Sequence, residues 1–238
     1  IIHYCWFGKK PLPKLAIQCI SSWKKYCPDY KIIQWDEKSF DVNINQFVKG
    51  AYNSKRFAYV TDYVRLYVLY KYGGIYMDTD VEVIKPIDRF LVEHAFSGYE
   101  TSASIPTGIM ASEKGFPLCY EWLKNYDSLE FRNDEQFCID HTNVVLITNA
   151  MEKAGMVFNN QYQVIKNMAF YPKEFFCPKD YQTGIVTITP NTYTIHHFSG
   201  SWHSKTYQVK SRIRRIIIKL FGNRGIELIK KIKKLAVG

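Results

Sequence analysis

Tyr72-Gly73-Gly74-Ile75-Tyr76-Met77-Asp78-Thr79-Asp80 reads as the end of a helix, a short strand and two carboxylates one residue apart. Glycine terminates a helix readily, because it enters the left-handed backbone region without a Cβ clash. The apolar Ile75-Tyr76-Met77 run then makes a strand, and in an extended segment residues i and i+2 share a face. Asp78 and Asp80 therefore point the same way at the mouth of a sheet. Two like charges that close repel unless something positive lies between or beside them. A divalent cation meets that need; hard oxygen ligands favour Mg²⁺ or Mn²⁺, and the ion would in turn grip a diphosphate. A polar loop after a strand can have the same Asp-Thr-Asp sequence, so the flanking residues must separate the two readings.

Immediately upstream, residues 54–72 predict a helix that is apolar on most sides and hence buried. It carries Asp62 and Arg65, three apart and on one face. Buried charges are costly unless paired or functional, so the two form an internal salt bridge or part of a site. Residues 1–7, 14–26 and 30–35 read as strand, helix and strand, the opening of a parallel α/β sheet. Residues 40–53 read as irregular. Further strands are expected at 81–84, 95–99, 108–111, 185–189 and 193–197, and further helices at 119–126 and 134–151.

Neither a Walker-type loop nor a G-x-G-x-x-G fingerprint occurs, so a nucleotide would be held some other way. In open α/β sheets ligands bind outside the carboxyl ends of the strands. Trp6, at the end of the first strand, is placed there to stack on a planar base, although a lone tryptophan more often belongs to the core. Near the other end, Ile195-His196-His197-Phe198-Ser199-Gly200-Ser201-Trp202 combines imidazoles, hydroxyls and an indole. Neutral imidazole is an acceptable Mn²⁺ ligand. Adjacent residues of a strand face opposite ways, so at most one of the two histidines reaches a metal.

The 238 residues are 47% apolar and 16% aromatic, enough for a packed interior and unlike a disordered chain. No apolar run of membrane-spanning length occurs. The chain opens on a strand-like segment with no signal-peptide pattern, and the six cysteines form no C-x-x-C pair. Both features lead us to expect reduced thiols and a cytoplasmic location. The formal charge of +10 is uneven: from Lys205 onward there are 11 basic residues and one acid, leaving 32 − 11 = 21 basic and 22 − 1 = 21 acidic residues in 1–204. We therefore divide the chain into a catalytic domain, 1–204, and a basic amphipathic helical tail, 205–238, broken at Gly222-Asn223. Such a tail lies on an anionic membrane surface, at the inner face of the cell membrane, or packs on the core with a solvated basic face. No nucleic-acid recognition motif accompanies the charge.

The residues His3-Tyr4-Cys5-Trp6-Phe7-Gly8, Thr61-Asp62-Tyr63-Val64-Arg65 and Tyr72 through Asp80, in that order, resemble the retaining DXD glycosyltransferases of family 32. Bacterial capsular and surface-polysaccharide sugar transferases and yeast mannosyltransferases belong there, and the large clostridial glucosylating toxins share the signature. The resemblance is dense over 1–85 and returns at 195–202. It implies a GT-A fold, a single α/β domain around a mostly parallel mixed sheet flanked by helices. The nucleotide-sugar half would be about 1–110 and the acceptor half about 111–204. It further implies that Trp6 stacks on the base, that Asp62 and Arg65 hold the ribose and donor sugar, and that Tyr76 contacts phosphate or sugar. Asp78 and Asp80 would hold Mn²⁺ or Mg²⁺, with His196 as a third ligand, while Ser201 and Trp202 belong to a loop that closes on the diphosphate. The implied reaction moves a sugar, with retention, from a nucleotide-sugar donor (a UDP-sugar favoured) to a glycan or lipid-linked glycan acceptor in capsule or surface polysaccharide synthesis.

Two other classes compete. A strand ending in Asp-x-Asp also resembles the nucleophile motif of haloacid-dehalogenase-type phosphatases, whose downstream acidic pair and lysine have no counterpart that we can place here. A non-catalytic membrane- or polyanion-binding protein would use the tail alone.

Overall fold

The computed structural model describes residues 1–105, 108–200, 209, 213–218 and 220–222. The chain forms two compact units: Ile1–Pro178 with Ile188–His197, and Lys179–Thr187 with Phe198–Gly238. The strands of the first unit are β1 (Ile2–Cys5), β2 (Ile32–Trp35), β3 (Gly74–Met77), β4 (Val81–Val83), β5 (Ala95–Gly98), β6 (Ile109–Ser112), β7 (Gln163–Ile165), β8 (Met168–Tyr171) and β9 (Thr194–His196). Its helices are α1 (Lys14–Tyr26), α2 (Gln46–Asn53), α3 (Phe57–Tyr72), α4 (Pro117–Lys124), α5 (Glu135–Asp140), α6 (Asn143–Lys153) and α7 (Lys173–Phe176).

Seven strands make one sheet in the order β2-β1-β3-β6-β5-β8-β7. β1 is parallel to β2 and β3, and β5 is parallel to β8; β6 is antiparallel to both β3 and β5, and β7 to β8. Hence β2, β1, β3, β5 and β8 run one way and β6 and β7 the other. This is the expected α/β architecture with a mostly parallel mixed sheet. β4 and β9 form a separate antiparallel ribbon.

The centre of the sheet is apolar on both faces, as strands covered by helices must be. All four residues of β1 are buried, as are Ile75, Tyr76 and Met77 of β3. Val60, Val64, Leu66, Val68 and Leu69 of α3 are fully buried. Both glycines after α3 are required. Gly73 has φ +68° and Gly74 φ +104°; a Cβ would stand 2.6 Å from Lys114 N at the first and 2.7 Å from Ile1 O at the second. His3 braces the same junction. Trp35 Nε1–H donates to its Nδ1 at 3.1 Å, so the ring proton sits on Nε2, 2.9 Å from the Gly73 carbonyl oxygen.

Several expected elements differ. α2 lies where 40–53 read as irregular. Its Asn45 cap accepts from Val48 N–H at 2.8 Å, and the mid-helix Gly50, a poor helix former, masked the pattern. A Cβ on Gly50 would stand 2.9 Å from Phe131 Cβ, so close packing requires the glycine. The expected helix 134–151 is two helices, capped by Asp134 (2.8 Å to Phe137 N) and Thr142 (3.3 Å to Val145 N). The unforeseen β7–β8 hairpin turns at Lys166 and Asn167, both at positive φ, a two-residue geometry usually written with glycine. Residues 185–189 are not a strand: Val186 makes only an isolated bridge to Lys179.

In the second unit, Asp180 Oδ1 accepts from Thr183 N–H at 2.7 Å and closes the turn between Lys179 and Val186. Residues 213–218 are helical, and Arg215 donates to the Phe198 carbonyl at 3.3 Å. Ile213, Ile216, Leu220 and Phe221 are each more than half exposed. Among the described residues no helix is long and apolar enough to cross a membrane.

Candidate active site

The site grows from the register of β3. Beyond Met77 the ladder continues for one more bond, Asp78 N–H to Gly108 O at 2.8 Å, which fixes Asp78 at the carboxyl edge of the sheet. The chain then turns into β4 through a 3.0 Å bond from Val81 N–H to Asp78 O. Asp80 thus stands at the head of the ribbon, where His197 N–H donates to its carbonyl at 2.9 Å. Val81 pairs with His196 across the ribbon, bringing His196 Nε2 to 3.3 Å from Asp80 Oδ1. One ligand atom from each of Asp78, Asp80 and His196 lies within 4.8 Å of the others. His197 faces the other way, 2.8 Å from Glu82 Oε2, as strand alternation requires. The His196 ring lies against Gly108: a Cβ there would stand 2.8 Å from Nδ1.

Arg65 reaches the same edge from α3. Its Nη2 lies 3.0 Å from Asp78 Oδ1 and 3.6 Å from Asp62 Oδ1, and its guanidinium carbon is 4.7 Å from the Tyr76 ring centroid. Tyr76 OH donates to the same Asp78 Oδ1 at 2.8 Å. Both contacts land on Oδ1, leaving Oδ2 for a cation. Arg65 Nε and Nη1 are buried without a hydrogen-bond partner, which in a buried donor calls for an explanation. Two carboxylates and one imidazole suit Mn²⁺, and Mg²⁺ on oxygen alone, so the residues fit the implied ion.

Electrostatics follow from depth. Burial pushes the Asp62 carboxyl up to about 6, against the pull of Arg65 and of the Asn143 N–H. Burial opposes the Arg65 charge, but Asp78, Tyr76 and Asp62 outweigh it and raise the guanidinium above its usual range. Burial likewise opposes a charged His196, yet the charge and hydrogen bond of Asp80 hold that imidazole well above its ordinary value.

The structure thus gathers Asp62, Arg65, Tyr76, Asp78, Asp80 and His196. Trp6 follows β1, the parallel neighbour of β3, and so leaves the sheet at the same edge. Its Nε1–H donates to Lys10 O at 2.5 Å, and its ring packs on the apolar cluster that contains Tyr4, Ile20 and Trp23. Ser201 and Trp202 lie outside the described residues. Two polar residues that the motifs did not mark stand close by. Asn143, 1% exposed, bonds Asp62 from the first turn of α6. Glu100 lies just past β5; burial raises its carboxyl, and His196, Asp78, Lys173 and Arg65 are the charges that act on it. Asn143 had a helix-start signal in Thr142 before it, whereas nothing in the sequence marks Glu100.

Fold and site together define an α/β domain with two aspartates and a histidine, a group able to hold a metal ion, gathered at the carboxyl edge of its sheet. Residues 13–97, which include Asp62, Arg65, Tyr76, Asp78 and Asp80, match the family model described as "Glycosyltransferase sugar-binding region containing DXD motif". The chain is similar to inositol phosphoceramide mannosyltransferase 3 of Schizosaccharomyces pombe, 28% identical over 55% of this chain and 38% of that protein. It is also similar to inositol phosphoceramide mannosyltransferase 1 of the same yeast, 25% identical over 88% and 63%. The matches therefore span 38% and 63% of those relatives' own lengths. A solved structure called "PaToxG Glycosyltransferase" aligns over 64% of this chain and 67% of its own, at 20% identity and a TM-score of 0.45.

Proposed function

We propose that this protein is a metal-dependent retaining glycosyltransferase that moves a hexose from a nucleotide diphosphate sugar to a glycan or lipid-linked glycan acceptor. The observation that carries the reading is the convergence of Asp78, Asp80 and His196 on one point beside Arg65. The match of 13–97 to the DXD region supports it. The donor we favour carries UDP; the relatives' names specify mannose transfer to inositol phosphoceramide, so GDP-linked donors belong in the same test.

Asp78, Asp80 and His196 would hold Mn²⁺ or Mg²⁺, which supplies Lewis-acid stabilisation of the departing diphosphate. Arg65 contributes a fixed positive charge at that edge, kept in place by Asp62 and by the Tyr76 ring beneath it. Tyr76 OH, committed to Asp78, orients that carboxylate. Trp6 stacks on the base. The acceptor hydroxyl attacks the anomeric carbon on the face from which the diphosphate departs; the anomeric C–O bond to phosphate breaks, the hydroxyl proton passes to the departing phosphate oxygen, and configuration is retained without an enzymic nucleophile.

The tail gives the enzyme its place of work. Ile213, Ile216, Leu220 and Phe221 expose apolar area among the basic residues that carry the chain's surplus charge, the combination that favours an anionic membrane surface. We place the enzyme there, at the cytoplasmic face, in capsule or surface polysaccharide synthesis.

A thermal-shift panel of UDP- and GDP-sugars with and without Mn²⁺, followed by product analysis, tests the reading. Metal-dependent stabilisation by one nucleotide class, with release of that nucleotide on transfer, is the expected result. Absence of any sugar-nucleotide response in the presence of Mn²⁺ overturns it.

A further inference from the structure

We infer that Asn143, at the start of α6, is the positioning residue that sets Asp62 and, through it, Arg65; the inference rests on the function proposed above. Asn143 meets Asp62 twice. Its backbone N–H donates to Asp62 Oδ2 at 3.1 Å, and its Nδ2–H donates to the Asp62 carbonyl oxygen at 3.1 Å. Its own Oδ1 accepts from Tyr126 OH at 3.4 Å. The residue is 1% exposed, so every polar atom it carries must be matched inside the protein.

The geometry has a direction. Asn143 is the first residue of an eleven-residue helix whose cap, Thr142, already accepts from Val145 N–H. The next free amide is that of Asn143, and it is spent on a carboxylate of another helix rather than on solvent. The helix start favours negative charge at that point. Asp62 Oδ1 in turn faces Arg65 Nη2 at 3.6 Å, and the same nitrogen reaches Asp78 at 3.0 Å. A helix from the half of the chain beyond residue 110 therefore holds one end of a three-link relay, Asn143 to Asp62 to Arg65, whose other end lies on the cation cluster. If Asp62 turned away, Arg65 would keep Asp78 as its one ionic partner and the Tyr76 ring as its only other support.

Two substitutions separate the contacts. Asn143→Ala removes the side-chain bonds and keeps the amide. Asn143→Pro removes both, in a position where proline suits a helix, since the extended Thr142 backbone (φ −71°, ψ 149°) accepts a following proline. With Mn²⁺–UDP and Mn²⁺–GDP as calorimetric probes, Asn143→Ala should weaken binding of the accepted nucleotide several-fold, and Asn143→Pro by about tenfold. Donor KM should rise in step while acceptor KM stays unchanged. In an Asp62→Asn background the proline should add less than about twofold, because the route runs through that carboxylate.

A purely structural staple lowers thermal stability and leaves nucleotide affinity and donor KM unmoved. That outcome, or additive effects of Asn143→Pro and Asp62→Asn, overturns the inference. Should Asn143→Pro not fold, Tyr126→Phe, which removes only the hydroxyl on Asn143 Oδ1, must still raise donor KM measurably. A wild-type protein that binds neither nucleotide overturns the proposed function and this inference with it. Normal wild-type binding that Asn143→Pro and Tyr126→Phe leave untouched overturns this inference alone.

Discussion

Arg65 Nη2 lies 3.0 Å from Asp78 Oδ1, with the arginine side chain only 5% exposed. An ion pair at that depth is held by geometry as much as by charge, because either partner alone would be stranded in a poorly solvated place. Lysine at 65 keeps the charge but offers a point donor on a flexible stem. Arg65→Lys should therefore fold and lose about 10²–10³ in turnover of the sugar nucleotide. Arg65→Met leaves two acids unpaired and should cost about 3–5 kcal/mol. Urea unfolding with initial rates checks both, and turnover of Arg65→Lys within twofold of wild type would remove Arg65 from the machinery.

Asp80 offers the cleanest test of the cation. Unlike Asp78 it does not partner Arg65, but it pairs with His196, so Asp80→Asn should cost about 1–3 kcal/mol in the absence of metal while leaving the fold intact. Stabilisation by Mn²⁺ should vanish, and metal-dependent transfer should fall by at least about 10³. The paired measurement is a melting curve with and without Mn²⁺ beside a transfer assay; retained Mn²⁺ stabilisation would place the ion elsewhere.

Gly108 makes room for His196. A methyl group there meets Nδ1 at 2.8 Å and Cε1 at 2.9 Å, so the imidazole must rotate or retreat. Gly108→Ala should weaken Mn²⁺ binding by about 10–100-fold, as loss of support around a ligand does, with a smaller effect on Asp78. Titration calorimetry with Mn²⁺ reads this directly. Unchanged affinity would mean that His196 is not a ligand.

His3 gives stability a pH dependence independent of the metal. Burial lowers its pKa from the ordinary 6.5, with the bond to Gly73 opposing the shift. The folded state therefore keeps the ring neutral where the unfolded chain has already taken a proton. The contribution is complete above about pH 6.5 and is lost as pH falls through that value, with a slope of at most about 1.4 kcal/mol per pH unit. Asp62 and His196, both raised, act with the opposite sign and equally in both proteins, so the expected result is a difference: from about pH 7.5 to about pH 5.5 the urea midpoint of wild type should drop relative to that of His3→Gln. An equal decline in both proteins would refute the assignment.

The sheet's opening was legible because its signals are local. β1, α1 and β2 follow apolar periodicity, and the Gly73-Gly74 stop is dictated by backbone sterics that no other residue satisfies. The grouping of Asp78 with Asp80 was read from their spacing on an extended segment, whereas a turn closed by Val81 N–H on the Asp78 carbonyl brings them together. What escaped depends on contacts remote in sequence. The ribbon that carries β4 away from the main sheet is decided by its pairing with β9. α2 was hidden by a glycine whose reason is Phe131, and the Lys166-Asn167 turn puts a lysine at positive φ, where only the asparagine carries a turn signature. Glu100 and Asn143 enter the site through tertiary packing, so neither has a motif.

The β4–β9 ribbon also sets a timetable. His196 follows Asp80 by 196 − 80 = 116 positions, so a nascent chain displays both acids and the arginine helix long before the imidazole emerges from the ribosome. Until then Asp78 and Asp80 have no imidazole beside them, and a cation site that used all three residues would be incomplete. Pairing of β9 with β4 is thus the folding step that completes the group of three side chains.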